Sequence, residues 1–274
     1  MHELRARDRL IVALDVESVS RASLLVEQLD NVSFFKIGWR LLMASFRTGG
    51  LEHLLQDLGR AGKAVFFDLK IPDIGNTVAS VVHDLRDSSS VKFLTLHEEM
   101  PLEQIRMARQ AREDSEGPKL LMVPYLSSQD EGNFSQVAPS AAAQGMTLEQ
   151  WILARARDAL EAGCDGLIAS GRAISLFRRE WPKSTGIVIV SPGIRPAGSS
   201  HDDHKRFTTP AQAIESGADY LVVGRPILNA PDVRKAAQQI IDEIGSMENP
   251  RTNSGPGSTE SNHVAMPASR DDVR

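Results

Sequence analysis

Eight short apolar runs recur along the chain, at residues 10–14, 34–37, 64–67, 93–96, 120–123, 166–169, 187–190 and 220–223. Between them lie longer stretches with apolar residues at helical spacing, such as 21–29, 51–60, 78–85, 102–112, 148–160 and 211–215. Strand–helix alternation implies parallel strands joined by helical crossovers. Eight such units form either an open doubly wound sheet or a closed barrel. Because they use nearly the whole chain up to about residue 245, the expected fold is α/β, a single-domain (β/α)8 TIM barrel over residues 9–245, after an N-terminal extension at 1–8.

A weak internal repeat supports this architecture. Glu161-Ala162-Gly163-Cys164-Asp165-Gly166-Leu167 resembles Glu215-Ser216-Gly217-Ala218-Asp219-Tyr220-Leu221. In each, a helix stops at glycine, which tolerates the left-handed conformation, and a strand starts after Asp. Loops between helices and strands also converge on this pattern independently of any repeat. Residues 246–274 turn rich in Ser, Asn, Pro, Gly and Asp and lose hydrophobic periodicity, which predicts a disordered tail. The segment 127–145 is long for a connection from strand to helix, and long loops on that face of a barrel often cover a site.

Composition narrows the partners. Hydrophobic residues make up 41%, enough for a sizeable core, and 31 Lys and Arg against 36 Asp and Glu give a formal charge of −5. No broad basic field draws in nucleic acid, so a phosphorylated small molecule would need a local basic pocket. No apolar run reaches the roughly 18 residues that a membrane span needs. The charged start, Met1 to Asp8, has no signal-type apolar region after it. Cys164 is the sole cysteine, and no Cys/His cluster has zinc-ligand spacing. These features predict a cytoplasmic protein with no membrane or nucleic-acid partner and no bound metal.

The chemistry concentrates where apolar runs end. Val65-Phe66-Phe67 leads into Asp68-Leu69-Lys70-Ile71-Pro72-Asp73, followed by Ile74-Gly75-Asn76-Thr77. Alternate strand residues share a face, so Asp68 and Lys70 both project toward the barrel mouth. Pro72 has no N–H and ends the ladder; Asp73 then falls on the loop, and Asn76 or Thr77 can cap the next helix. A lysine between carboxylates is held charged, and such a lysine can stabilise a carbanion and then protonate it. A structural ion-pair cluster would read the same way in isolation. Lys36 lies inside an apolar strand, where a lone lysine is costly unless paired. Asp68 on the neighbouring strand is its natural partner, which predicts an alternating network of Lys36, Asp68, Lys70 and Asp73. Asp15 ends the first run. After the seventh and eighth runs come Ser191-Pro192-Gly193-Ile194-Arg195-Pro196 and Gly224-Arg225-Pro226. Loops there are the usual phosphate site of these barrels, with glycine N–H groups and arginines facing the anion.

Together these motifs resemble the orotidine 5'-monophosphate decarboxylase family. Asp68-Leu69-Lys70-Ile71-Pro72-Asp73 resembles its Asp-x-Lys-x-x-Asp signature, and Leu14-Asp15, Phe35-Lys36-Ile37-Gly38, Pro192-Gly193-Ile194-Arg195-Pro196 and Gly224-Arg225-Pro226 match in order over about residues 9–245. The resemblance implies conversion of orotidine 5'-monophosphate to UMP and carbon dioxide, without a cofactor, in pyrimidine biosynthesis. Lys70 would protonate C6, Asp68 would lie against the substrate carboxylate, and Lys36 and Asp15 would contact the ribose. Asp73, Ile74 and Thr77 would complete the partner's site in a homodimer. Ser127 would contact the pyrimidine, and Arg195, Gly224 and Arg225 would hold the phosphate. His204 stands where many relatives carry a phosphate-loop glutamine, Pro124-Tyr125 replaces smaller residues, and His97-Glu98-Glu99 departs from the usual stretch after the fourth strand. Two other readings are a magnesium-dependent sugar-phosphate enzyme of the same superfamily, with Glu98 and Glu99 as ligands, and a nucleotide-binding protein that has kept the fold without turnover.

Overall fold

Successive residues of each apolar run enter two different cores. In this computed structural model, which describes residues 4–71, 73–97, 99–112, 117–125, 132–196 and 208–248, the strands are β1 (Leu10–Ala13), β2 (Phe34–Gly38), β3 (Ala64–Ile71), β4 (Val91–Leu96), β5 (Lys119–Met122), β6 (Gly166–Ile168), β7 (Val188–Ser191) and β8 (Tyr220–Val223). All pair in parallel with their sequence neighbours, and β8 returns to β1, closing the barrel. Leu10, Val12, Phe35, Val65, Phe67 and Leu94 point outward to the helices. Ile11, Ala13, Phe34, Phe66, Phe93, Leu121, Val190 and Val222 point inward. This is the period-two alternation of a strand, with both faces apolar because both are covered.

The helices are α1 (Ala6–Arg9), α2 (Val19–Gln28), α3 (Trp39–Thr48), α4 (Leu51–Arg60), α5 (Gly75–Leu85), α6 (Leu102–Arg112), α7 (Phe134–Val137), α8 (Pro139–Ala143), α9 (Leu148–Ala162), α10 (Arg172–Glu180), α11 (Pro210–Glu215), α12 (Arg225–Leu228) and α13 (Val233–Glu248). The periodic stretches 51–60 and 102–112 fold with the expected bounds. Helix α13 runs three residues beyond position 245, and residues 249–274 lie outside the described part. Thr147 and Thr209 open α9 and α11 with reciprocal capping boxes to Gln150 and Gln212. At α5 the expected cap is corrected. The chain enters the helix directly after Ile74, so Asn76 and Thr77 lie within its first turn and no side chain caps it.

The two similar segments turn out to build the same joint. Asp165, just before β6, accepts the Leu120 N–H of β5 at 2.8 Å and holds Arg112 of α6 at 2.6 and 3.1 Å. Asp219, just before β8, accepts the Ile189 N–H of β7 at 2.8 Å and holds Arg178 of α10 at 2.7 Å. Gly163 and Gly217, two residues earlier, have φ of 116° and 103°, which β-carbon-bearing residues rarely adopt. Each aspartate thus fastens a helix and the preceding strand to the start of its own strand, at the N-terminal face. Arg178 also donates to the Gly217, Trp181 and Ile187 carbonyls.

Removing one partner of a largely buried pair leaves the other's charge without its counter-ion. Asp219→Ala is therefore expected to destabilise the fold by about 3–5 kcal/mol, seen as a lower urea midpoint. Asp57→Ala, which breaks the exposed Arg60–Asp57 pair, should leave the midpoint nearly unmoved.

Candidate active site

The inward positions carry an aromatic floor. Phe93 lies 5.1 Å from Phe34, 5.8 Å from Phe66 and 5.0 Å from Tyr220 between ring centroids. Two residues further along, β2, β3 and β4 replace Phe34, Phe66 and Phe93 by Lys36, Asp68 and Thr95. The same alternation that fills the barrel therefore sets a polar layer directly on an apolar one, at the C-terminal ends where barrel sites form. Above this layer opens a cavity of about 310 Å³.

On one wall stands a chain of alternating charge. The Lys36 ammonium donates to Asp15 Oδ1 at 3.0 Å and lies 3.5 Å from Asp68 Oδ2. Lys70 Nζ donates to Asp68 Oδ1 at 2.6 Å. Lys36 is 8% exposed, a costly place for a cation, and two carboxylates face it there. Burial pushes the Asp68 carboxyl up, but the Lys36 and Lys70 ammoniums, with hydrogen bonds from Lys70 and Thr95, outweigh it and hold Asp68 below the usual carboxylate range. Gly38 makes room for this arrangement, since a Cβ there would sit 3.0 Å from Lys36 Nζ.

Lys70 reaches Asp68 by a route that simple alternation does not anticipate. Between the pairs Phe67–Leu94 and Ile71–Leu96, β3 carries Asp68, Leu69 and Lys70 where β4 carries Thr95 alone. The extra length is absorbed at Lys70, whose φ of 45° is the one positive value at a non-glycine among the described residues. Such a conformation costs on the order of 1–3 kcal/mol and persists only where the surroundings enforce it. Here the Lys70 N–H donates to Thr95 Oγ1 at 3.0 Å, and Thr95 Oγ1 donates to Asp68 Oδ1 at 3.1 Å. The neighbouring Leu69 carbonyl accepts from Trp39 Nε1 at 2.6 Å.

Across the cavity, Pro192, Gly193 and Arg195 follow β7, and Gly224 and Arg225 follow β8. Arg195 and Arg225 line the same cavity, and burial and then the like charge of Arg225 lower the pKa of Arg195. Gly193 has a φ of 77°, which lets the chain turn there. Tyr125 and Ser170 line the side between the walls, with the Tyr125 hydroxyl 3.3 Å from the Ser170 carbonyl.

Asp15, Lys36, Asp68 and Lys70 thus come together, and Arg195, Gly224 and Arg225 face them. The in-chain network expected to end at Asp73 is corrected: its other end is Asp15. The chain after Ile71 carries Asp73 outward, where Oδ1 accepts from the Ile74 N–H at 2.7 Å. Asp73, Ile74 and Thr77 are exposed, and none lines the cavity of its own chain. Ser127, His204, Pro72 and Glu98 lie outside the described residues. Glu99 is exposed, and among the described residues no group of three or more His, Cys, Asp or Glu side chains converges to hold a metal ion. Sequence reasoning missed Thr95. Its signal was there, as a hydroxyl two positions after Phe93 in an otherwise apolar run.

The sequence profile of the orotidine 5'-phosphate decarboxylase / HUMPS family matches residues 8–240. An orotidine 5'-phosphate decarboxylase of Rhodopseudomonas palustris (strain BisB5) is 46% identical over 244 residues, covering 87% of this chain and 95% of the relative. One from Afipia carboxidovorans is 45% identical over 239 residues, covering 87% and 95%. The crystal structure of orotidine 5'-phosphate decarboxylase from Lactobacillus acidophilus superposes with a TM-score of 0.68 at 28% identity, covering 86% of this chain and 99% of that one.

The depressed Asp68 value has a signed consequence. A carboxyl whose folded pKa lies below its unfolded value stabilises the fold above the ordinary 3.8, and that contribution fades as pH falls through the folded value. The stability gap between wild type and Asp68→Asn should therefore be full at neutral pH and close below pH 3.8, as read from urea midpoints across the acid range. A gap that stays constant with pH would contradict this.

Proposed function

The chain belongs to the orotidine 5'-phosphate decarboxylase / HUMPS family, and from that premise we propose that it converts orotidine 5'-monophosphate to UMP and carbon dioxide with the residues gathered at its barrel mouth. The observation that carries this reading is the Asp15–Lys36–Asp68–Lys70 chain facing two convergent arginines across one cavity. The arginine wall, with the Gly224 backbone, takes the phosphate, since arginine forks match its oxygens. Lys36 and Asp15 bind the ribose hydroxyls. The C6 carboxylate then comes to lie beside Asp68 and Lys70.

When the C6–carboxylate bond breaks, its electron pair stays on C6 and carbon dioxide leaves. The Lys70 ammonium stabilises the developing charge and gives its proton to C6, yielding UMP; solvent then reprotonates the amine. A fixed cation in a dry, preorganised site is worth far more than one in water, so these residues supply the electrostatic stabilisation without a cofactor as electron sink. Anchoring the distant phosphate contributes binding energy that positions C6. Ser127 on the pyrimidine and His204 beside the phosphate complete the reading on the strength of the resemblance.

The protein acts as a homodimer with shared sites. Exposed Trp39, Met43 and Phe46 recur on one face of α3, and Ile74 is 65% exposed next to Asp73 and Thr77. An apolar stripe of this kind beside the cavity mouth favours a second copy that receives Asp73, Ile74 and Thr77 into its own site. The expected setting is the cytoplasm, in keeping with Cys164 as the sole cysteine, with no second one to form a disulfide within the chain.

The direct test is UMP formation from orotidine 5'-monophosphate in the presence of EDTA. Wild type should turn over, and Lys70→Ala should lose roughly 10²–10⁴-fold or more in kcat. Activity on a sugar phosphate that appears only with magnesium would point instead to the superfamily alternative. Shared sites have their own test. Lys70→Ala and Asp73→Ala proteins, each inactive, should recover about a quarter of wild-type activity when mixed equally under subunit exchange. No recovery after demonstrated exchange would count against a shared site.

A further inference from the structure

Thr95 is fully buried, yet its hydroxyl is neither a ladder group nor part of the cavity lining. It stands alone on β4 opposite Asp68, Leu69 and Lys70. At such a bulge the extra residue normally loses its ladder partner. Here the Lys70 N–H finds a side-chain oxygen instead, at 3.0 Å. A hydroxyl has one proton, and with its oxygen accepting from Lys70 that proton is directed to Asp68 Oδ1 at 3.1 Å. The same carboxylate oxygen takes the Lys70 ammonium at 2.6 Å. One hydroxyl thus closes a ring that joins the backbone of Lys70, the carboxylate of Asp68 and the ammonium of Lys70.

We infer that Thr95 is a positioning residue for the decarboxylation, holding the Lys70 backbone in its left-handed turn and the Asp68 carboxylate in one orientation so that the Lys70 ammonium points at the reacting carbon. The inference rests on the reading of Lys70 and Asp68 as the groups beside that carbon. Apolar residues could fill the same volume, but none could accept from the Lys70 N–H and donate to Asp68 at once. Trp39 fixes the Leu69 carbonyl from the other side, so removing the Thr95 hydroxyl frees the Lys70 end of the turn while the segment stays anchored.

Thr95→Val keeps the shape and removes both hydrogen bonds; Thr95→Ser keeps the hydroxyl and removes a methyl. The phosphate and ribose contacts lie elsewhere, so Thr95→Val should lower kcat by roughly 10- to 100-fold, the worth of hydrogen bonds to a charged group, with KM within about threefold of wild type. Thr95→Ser should recover most of kcat even if it is the less stable protein. The acid limb of the kcat profile should move to higher pH in Thr95→Val, because Asp68 loses a donor. The charged groups facing Asp68, Lys36 from β2 and Lys70 from β3, with Asp15 beyond Lys36, are the same in both variants. Thr95→Val with wild-type kcat and acid limb would overturn the inference. So would equal losses in both variants that track their melting temperatures, since that marks a packing role. Lys70→Ala assayed alongside separates the two levels: if it stays active, the reading of the site fails, and if it is inactive while Thr95→Val is unimpaired, only the role of Thr95 fails.

Discussion

Two ammonium groups stand close together in a mostly buried layer of this barrel, and the Asp68 carboxylate between them is what makes that possible. Lys36 approaches one of its oxygens at 3.5 Å and Lys70 the other at 2.6 Å. Without it, two like charges would face each other over an aromatic floor, where solvent screens little. Asp15 balances Lys36 from the far side, so the row alternates in sign. The same row that makes the layer tolerable also leaves a proton-bearing cation fixed at the cavity wall.

The fold delivers this arrangement by counting. Phe34, Phe66 and Phe93 occupy inward positions, and the next inward positions are Lys36, Asp68 and Thr95. The parallel register then sets Lys36 beside Phe66 and Gly38 beside Asp68. Glycine at 38 is part of this constraint, because a Cβ there would crowd the Lys36 ammonium at 3.0 Å. At the opposite face of the barrel, Asp165 and Asp219 lock β5 to β6 and β7 to β8. The stability joints and the chemistry therefore occupy different ends of the strands, as this architecture allows.

Periodicity was enough to reveal the barrel, because eight runs buried on both faces leave a strong signal, and charges at the ends of such runs marked Asp15, Lys36, Asp68, Lys70, Arg195 and Arg225. What periodicity could not reveal was any departure from it. Alternation places Lys70 beside Asp68 on a regular strand, whereas the structure reaches the same pairing through a bulge and a positive φ. It also extends the charged network to Asp73, but the loop turns that side chain outward, and Asp15 from β1 takes the end position. Thr95 was hidden for a different reason. A threonine in a strand is ordinary by propensity, and only the missing ladder partner at Lys70 gives its hydroxyl a task.

The two walls of the cavity divide the work in a way that bears on how such a site gains rate. On the proposed reading, the arginines after β7 and β8 would meet a group that does not change during reaction, so their contacts would serve mainly to localise the substrate. In the same reading the Lys70 ammonium would meet charge that grows only as the carbon–carbon bond breaks, so its contribution would be differential. That contribution depends on a fixed orientation, because an ammonium free to swing would reorganise as solvent does and lose the advantage of the dry site. A left-handed turn at a lysine, tied to a neighbouring strand through one hydroxyl and to a helix through one indole, is a means of fixing it. Backbone strain at this position therefore reads as the cost of orientation, offset by the hydrogen bonds that hold it.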